Sequence, residues 1–251
     1  KMVLVRVNGR GYVHVGSLNG SEQSHKDNRE LALQIQSDAM FDLLSGLFIS
    51  DWPHRVYLPL MMNNFIGPAD HLLISEVLYD PPGQDTTEFI ELVNPTPFVW
   101  DISSYSLGDA VNRTDFEDVR RFPPGTILGR DQTLVVATAA ADFFAEFGHY
   151  PDFEILNTTP LVPDLLDDPT WGDPATFLQL GNLGDEVILR NAQDQAVDVL
   201  AYGAGNYPGM ASCPLVSLLN ASLERLPYWR DTDDCMVDFR EWPFPNPGDL
   251  P

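Results

Sequence analysis

The 251-residue sequence predicts an α/β fragment at its N-terminal end followed by an all-β antiparallel sandwich. Three observations carry that expectation. Up to about residue 50, three strand-like runs precede one stretch of helical spacing. From His71 onward, short apolar runs are punctuated by clusters of Pro, Gly, Asn and Asp, the pattern of a sandwich. The charge also changes near residue 70. Lys1 to Asp70 carry 6 basic and 7 acidic side chains, whereas the remainder carries 8 basic and 30 acidic, for a net charge of -23. An acidic surface of that size repels phosphate backbones and argues against general electrostatic binding of nucleic acid by the second module.

In the first module, Met2-Val3-Leu4-Val5 is a compact apolar run and Asn8-Gly9 signals a tight hairpin turn. Tyr12-Val13-His14-Val15 gives the return strand, which ends at Gly16-Ser17. Glu30 to Gln36 alternates with period two and reads as a third strand. Ser37 caps a helix from about Asp38, with Phe41, Leu44, Leu47 and Phe48 at helical spacing, and Trp52-Pro53 closes it. Three strands and a helix leave a sheet edge open and offer too little chain to bury both faces.

The predicted organisation is therefore a fragment over 1–52, a linker over 53–70, a sandwich over 71–242 and a tail over 243–251. Pro53, Pro59 and Pro68 stiffen the linker. Within it, Val56, Leu58 and Leu60 either pack on a neighbouring domain or contact a partner or membrane. Strands are expected at Leu73–Tyr79, Glu88–Val93, Thr133–Ala137, Thr176–Leu180, Glu186–Arg190, Ala196–Tyr202 and Ser222–Arg225. One helix is expected at Ala139–Phe147.

No apolar run approaches the roughly 20 residues of a membrane helix. Cys213 and Cys235 lie in a loop-rich, Lys-poor region. That suits an extracytoplasmic protein with one disulfide, worth about 3 kcal/mol through loop closure; two reduced thiols are the alternative. No zinc pattern, phosphate loop or nucleophile elbow is present, and no cofactor is implied.

The order strand, Gly16-Ser17-x-Asn19 turn, Asn28-x-Glu30 strand, helix resembles the C-terminal half of a phospholipase D-like (HKD) phosphodiesterase. That family's motif reads His-x-Lys-x4-Asp, then Gly-Ser-x-Asn, then Asn-x-Glu. Lys1 matches the motif lysine, Gly16, Ser17 and Asn19 the turn, and Asn28 with Glu30 the downstream pair. The motif histidine falls two positions before Lys1, outside this chain, and neither His14 nor His25 stands in its place. Arg6 stands where the family has aspartate.

The resemblance implies phosphodiester hydrolysis through a phosphohistidine, with lysines and asparagines holding the non-bridging oxygens. Lys1 and Asn19 would then be phosphate ligands, Glu30 would orient an imidazole, and Ser17 would add a hydroxyl. The substrate of the longer parent would be a phospholipid or nucleic acid, while the chain by itself is expected to be inactive. Each residue also has a bland alternative: an exposed lysine, a strand-ending turn, a solvent-facing strand glutamate.

The second module looks like a lamin-tail domain, an immunoglobulin-like sandwich. The likeness rests on ISEVLYDPPGQDTTEFIELVNPT, on Ser104 to Gly108, on GNLGDEVILRN and on SLERLPYWRDTDDC. Tyr105 stands where tryptophan is common, and Phe153 to Trp171 is long for the family. The resemblance implies an accessory module of a secreted or cell-surface protein, contacting a cell-surface or protein partner. Glu88 and Glu91, three apart on a strand, are expected to face opposite sides. Asp164, Asp167 and Asp168, and Asp231, Asp233 and Asp234, lack EF-hand spacing and read as solvated loops. Tyr228-Trp229 and Trp242-Pro243-Phe244 are expected to close the core. Two functions from different classes follow: part of a phospholipase D-like hydrolase with an accessory lamin-tail domain, or a non-catalytic binding and anchoring protein.

Overall fold

The computed structural model describes residues 2–7, 9–16, 32–51, 68–115, 117–171 and 177–250. The chain divides into two units, Lys1–Asn63 and Asn64–Pro251.

In the first unit, β1 (Met2–Val7), β2 (Arg10–Gly16) and β3 (Ala32–Gln36) form an antiparallel sheet in that order, followed by α1 (Asp38–Asp51). Gly9 turns the hairpin with φ of +75°, a conformation that favours glycine. The Ser37 hydroxyl accepts from the Met40 N–H at 3.2 Å and caps the helix. Gly11 lets α1 approach the sheet, since a Cβ there would lie 2.4 Å from that of Phe41. Arg6 pairs with Asp42 and lies 4.5 Å over the Phe41 ring, joining hairpin to helix. Among the described apolar side chains of this unit only Val13 is fully buried, while Val5, Val7 and Leu43 are exposed.

The second unit is a sandwich of two sheets. One carries β11-β10-β5-β4-β15-β16 and the other β12-β8-β7-β13-β14, with a two-stranded β6-β9 ribbon beside them. The six-stranded sheet comprises β4 (Leu73–Leu78), β5 (Phe89–Val93), β10 (Thr133–Ala137), β11 (Phe153–Glu154), β15 (Ser222–Arg225) and β16 (Phe239–Trp242). Its partner comprises β7 (Ser106–Gly108), β8 (Val119–Arg121), β12 (Leu166–Asp167), β13 (Gly184–Arg190) and β14 (Ala196–Gly203). The ribbon pairs β6 (Trp100–Asp101) with β9 (Ile127–Leu128).

Alternation sorts the side chains. Ile90, Leu92, Leu134, Val136, Val187, Leu189, Leu200 and Tyr202 fill the space between the sheets. In β4 both Ile74 and Val77 face inward although three apart, because a register shift between Ile74 and Glu76 resets the parity. The opposite face of the six-stranded sheet is covered in part by α2 (Ala140–Phe147). Phe143 and Phe147 pack there against Phe89, Leu78, Val135 and Ala137. Gly148 ends α2 in the left-handed region with φ of +78°.

The structure departs from the sequence expectations in three places. Thr176–Leu180 was expected as a strand, yet residues 177–180 join no ladder. Leu178 and Leu180 are buried, but their N–H groups donate to the carboxylates of Asp118 and Glu88 at 3.0 and 3.4 Å instead of to a neighbouring strand. Phe244 does not close the core: it is exposed, set edge-on against half-buried Trp242 on the outermost strand. Asp168 and Asp231 are not solvated; both are held in ion pairs, described below.

The packing contrast between the units predicts their behaviour under protease. With intact protein and trace protease, residues 64–251 persist as a resistant fragment while residues 1–50 are cleaved first; survival of the first segment alone contradicts this.

Candidate functional site

Lys1, Ser17, Asn19, Asn28 and Glu30, the residues matched to the HKD motif, lie outside the described residues, as does most of the apolar linker. Gly16 is the last residue of β2, paired with Ala32 of β3. The remaining site chemistry belongs to the second unit and is built around arginines.

Arg225 on β15 is fully buried. Its Nε donates to the Ile74 carbonyl at 2.8 Å, Nη1 to the Arg230 carbonyl at 2.8 Å, and Nη2 to Asp198 at 2.7 Å. Asp231 and Asp238 stand 3.5 Å from Nη1, and the guanidinium lies 4.5 Å over the Phe239 ring. Asp198, from β14 of the facing sheet, also accepts the Ile74 N–H at 2.7 Å. The cluster therefore clamps β4 and β15 to β14 and to α3 (Cys235–Asp238). His71 completes it through Nε2 to Asp231 at 3.2 Å, with Nδ1 to Asp70 at 3.1 Å.

The hydrogen bond to Asp231 raises the His71 pKa to about 9 against its partial burial, so the imidazole is charged at neutral pH. Burial disfavours the ionised Asp231, but His71, the Asp233 N–H and Arg225 outweigh it and hold the carboxyl at about 2. A second set surrounds β8: Arg120 pairs with Asp118 and Asp167, and Arg121 with Asp168 and Asp194. Asp194 also pairs with Arg113, whose guanidinium faces Trp171 at 4.6 Å; Arg190 faces the same ring at 4.4 Å.

Several carboxylates are buried with no ion-pair partner, among them Glu76, Glu88, Glu91 and Asp109. Glu88 and Glu91 do face opposite sides. Glu88 points between the sheets, where its Oε2 accepts weakly from Thr138 and Leu180 at 3.3 and 3.4 Å and its Oε1 has no partner. Beside it, Ile90, Val136, Ile155, Leu178 and Leu180 line a void too small for a water molecule. Burial pushes its pKa up to about 9. A strongly displaced carboxyl often marks a catalytic acid, but this one is sealed from any substrate. Burial likewise raises Asp109 to about 8, Glu91 to about 8 and Glu76 to about 7. Among the described residues, no group of three or more His, Cys, Asp or Glu is placed to hold a metal ion.

Cys213 and Cys235 are joined in a disulfide, with Cα atoms 5.3 Å apart. Both are buried, and Cys213 bridges Tyr202 of β14. The bond thus ties the segment after β14 to α3, beside the Arg225 cluster.

The sequence profile of the Lamin Tail Domain family matches residues 67–204, more than half of the chain. The chain belongs to this family. The lamin-tail match ends at the close of β14, so β15, β16, the disulfide and Arg225 lie beyond it. Among solved structures, a DUF4876 family protein from Bacteroides thetaiotaomicron aligns with a TM-score of 0.54 at 11% identity, over 98% of this chain and 83% of that one. At that identity the likeness speaks to the fold alone. No curated protein matches the sequence.

Two predictions follow from the charge arrangement. Arg225→Ala leaves Asp198 buried without its cation and lowers unfolding stability by about 3–5 kcal/mol, measured by urea denaturation. The pH dependence has a definite sign. The buried carboxylates bind protons more tightly in the folded state, so their contribution is full below about 4.5 and is lost as pH rises through 7 to 9. His71 loses its contribution over the same rise, between 6.5 and about 9, whereas that of Asp231 is lost only as pH falls toward 2. The thermal midpoint is therefore highest near pH 5 and lower at pH 9 by about 5–10 °C, as read by calorimetry.

Proposed function

We propose that this chain serves as a non-catalytic interaction module, a lamin-tail domain carried by an extracytoplasmic protein. The observation that carries the reading is where the domain leaves apolar surface. Phe98, Val99 and Ile127 are exposed around the β6-β9 ribbon. Asp101 pairs with Ile127, and strand alternation places Val99 on the same side as Asp101. Asn94 holds this end rigid by donating to the carbonyls of Phe98 and Leu128 at 2.7 and 3.1 Å. Three large apolar groups on a braced ribbon form the kind of patch that contacts another protein. In contrast, the most strongly displaced carboxyl groups, Glu88, Glu91 and Asp109, are buried and bonded internally. The buried disulfide supports an oxidising, extracytoplasmic setting.

A second reading concerns the first unit. Its sequence motif and the order β1, β2 ending at Gly16, β3, α1 together favour a phospholipase D-like fragment, contributing Lys1 and Asn19 to phosphate binding in a longer hydrolase acting on a phospholipid or nucleic acid.

Photo-crosslinking from position 99 in the cells that make the protein tests the first reading. One discrete adduct is expected, abolished by Phe98→Ala with Ile127→Asp; no adduct, or an unchanged one, refutes it. Phosphodiesterase assay of the full-length polypeptide tests the second: loss of turnover in Lys1→Ala is expected, and unchanged turnover removes the catalytic role.

A further inference from the structure

Three glutamates stand side by side on the face of the six-stranded sheet turned away from the core. Strand register places Glu91 of β5 opposite Glu76 of β4, Glu76 opposite Glu224 of β15, and Glu224 opposite Arg240 of β16. Val135 of β10 flanks the row at its other end. Neighbouring strands are about 5 Å apart, so like charges at this register repel strongly. All three glutamates are nevertheless at most 2% exposed.

The C-terminal segment contributes to that burial and bonds directly to the row. The Gly248 N–H donates to Glu91 at 2.6 Å, the Asn246 N–H lies 3.3 Å from Glu76, and the Thr133 hydroxyl donates to the Gly248 carbonyl at 3.1 Å. From below, Ser75 donates to Glu91 and Ser222 to Glu76. Gly248 has φ of +97°, a turn that seats this segment on the sheet.

We propose that Asn246–Gly248 is a proton-sensitive strap, closed over the Glu91–Glu76–Glu224 row while those carboxyls share protons and released as the row ionises. Arg240 is the cation in contact with the row, bound to Glu224 at 3.1 Å; the other charged groups facing it are acidic. Asp249 adds negative charge beside Glu91, and Glu224 beside Glu76. His149, whose ring lies 3.8 Å from where a Cβ on Gly248 would be, packs edge-on against Phe143, and its Nδ1 lies 3.3 Å from the Tyr150 carbonyl. Asp131, Asp152 and Asp249 line the adjoining cleft of about 540 Å³.

The strap's two N–H donors favour ionised carboxylates and burial favours neutral ones. Burial wins, since it is the largest influence on Glu76 and Glu91 and leaves them at about 7 and about 8. Burial raises Glu224 as well, with Arg240 opposing. Ionisation above neutrality is relieved by water, which reaches the row only when the strap lifts. The tail belongs to no ladder, so its release breaks no strand pairing.

Hydrogen exchange of the full chain at pH 6 and pH 9, corrected for the intrinsic pH dependence of exchange, tests this. Protection of Asn246, Gly248 and Asp249 is expected to fall by about tenfold or more at pH 9 while β5 and β10 stay protected. In Glu76→Gln/Glu91→Gln, the neutral amides mimic the protonated row and the strap stays protected at pH 9. Equal strap protection at both pH values in the unmodified chain overturns the proposal, as does the same fall in the glutamine variant. The unmodified chain decides the matter even if the double variant fails to fold.

Discussion

The second unit depends on one buried guanidinium. Arg225 receives no water, so its donors must be met by protein, and they are met by atoms from widely separated parts of the sequence: Ile74, Asp198, Arg230, Asp231 and Asp238. A lone arginine in such a place would be prohibitively costly. Surrounded by three carboxylates and two carbonyls, it becomes the point at which the two sheets and the C-terminal helix are registered. The disulfide holds the same region at the first residue of α3, Cys235, while Arg225 holds its last, Asp238, so geometry there is fixed twice.

A chain with 37 acidic and 14 basic side chains must dispose of its carboxylates in several ways. Some neutralise arginines, as Asp198, Asp118 and Asp168 do. Others, such as Glu88 and Glu91, are buried deeply enough that the proton is their counter-ion. A third group replaces missing ladder partners: Glu154 accepts the N–H groups of Ala140, Thr158 and Thr159, tying α2 to the loop after β11. Because so many are engaged internally, a strongly acidic composition does not by itself translate into an acidic binding surface, and the exposed apolar ribbon is the better guide to contact.

The central strands were legible because each is long enough to show its period: Thr133–Ala137 and Ser222–Arg225 fall where alternation placed them. Trp100–Asp101, Ile127–Leu128, Phe153–Glu154 and Leu166–Asp167 were not, since two residues carry no periodicity. The Thr176–Leu180 expectation failed for a related reason. Alternating burial is necessary for a strand, but a ladder also needs a neighbour, and here carboxylates of Asp118 and Glu88 meet the backbone instead. Phe244 was misplaced because an aromatic at the end of an edge strand has no second sheet to cover it.

The sequence alone determined the class of the second unit, the positions of most of its longer strands along the chain, the opposite facing of Glu88 and Glu91, and the hairpin, sheet and helix of the first unit. All of these follow from local periodicity, turn chemistry and capping. Only the tertiary structure decided which strands are neighbours, and with that which charges meet. In the sequence Glu76, Glu91 and Glu224 are acidic residues on three separate strands, with nothing to join them. Cross-strand register brings them abreast, and a segment that looked like a tail covers them. Arg225 likewise looks like any strand arginine until β14 and α3 fold over it, because burial is a property of what packs on a residue and not of the residue itself.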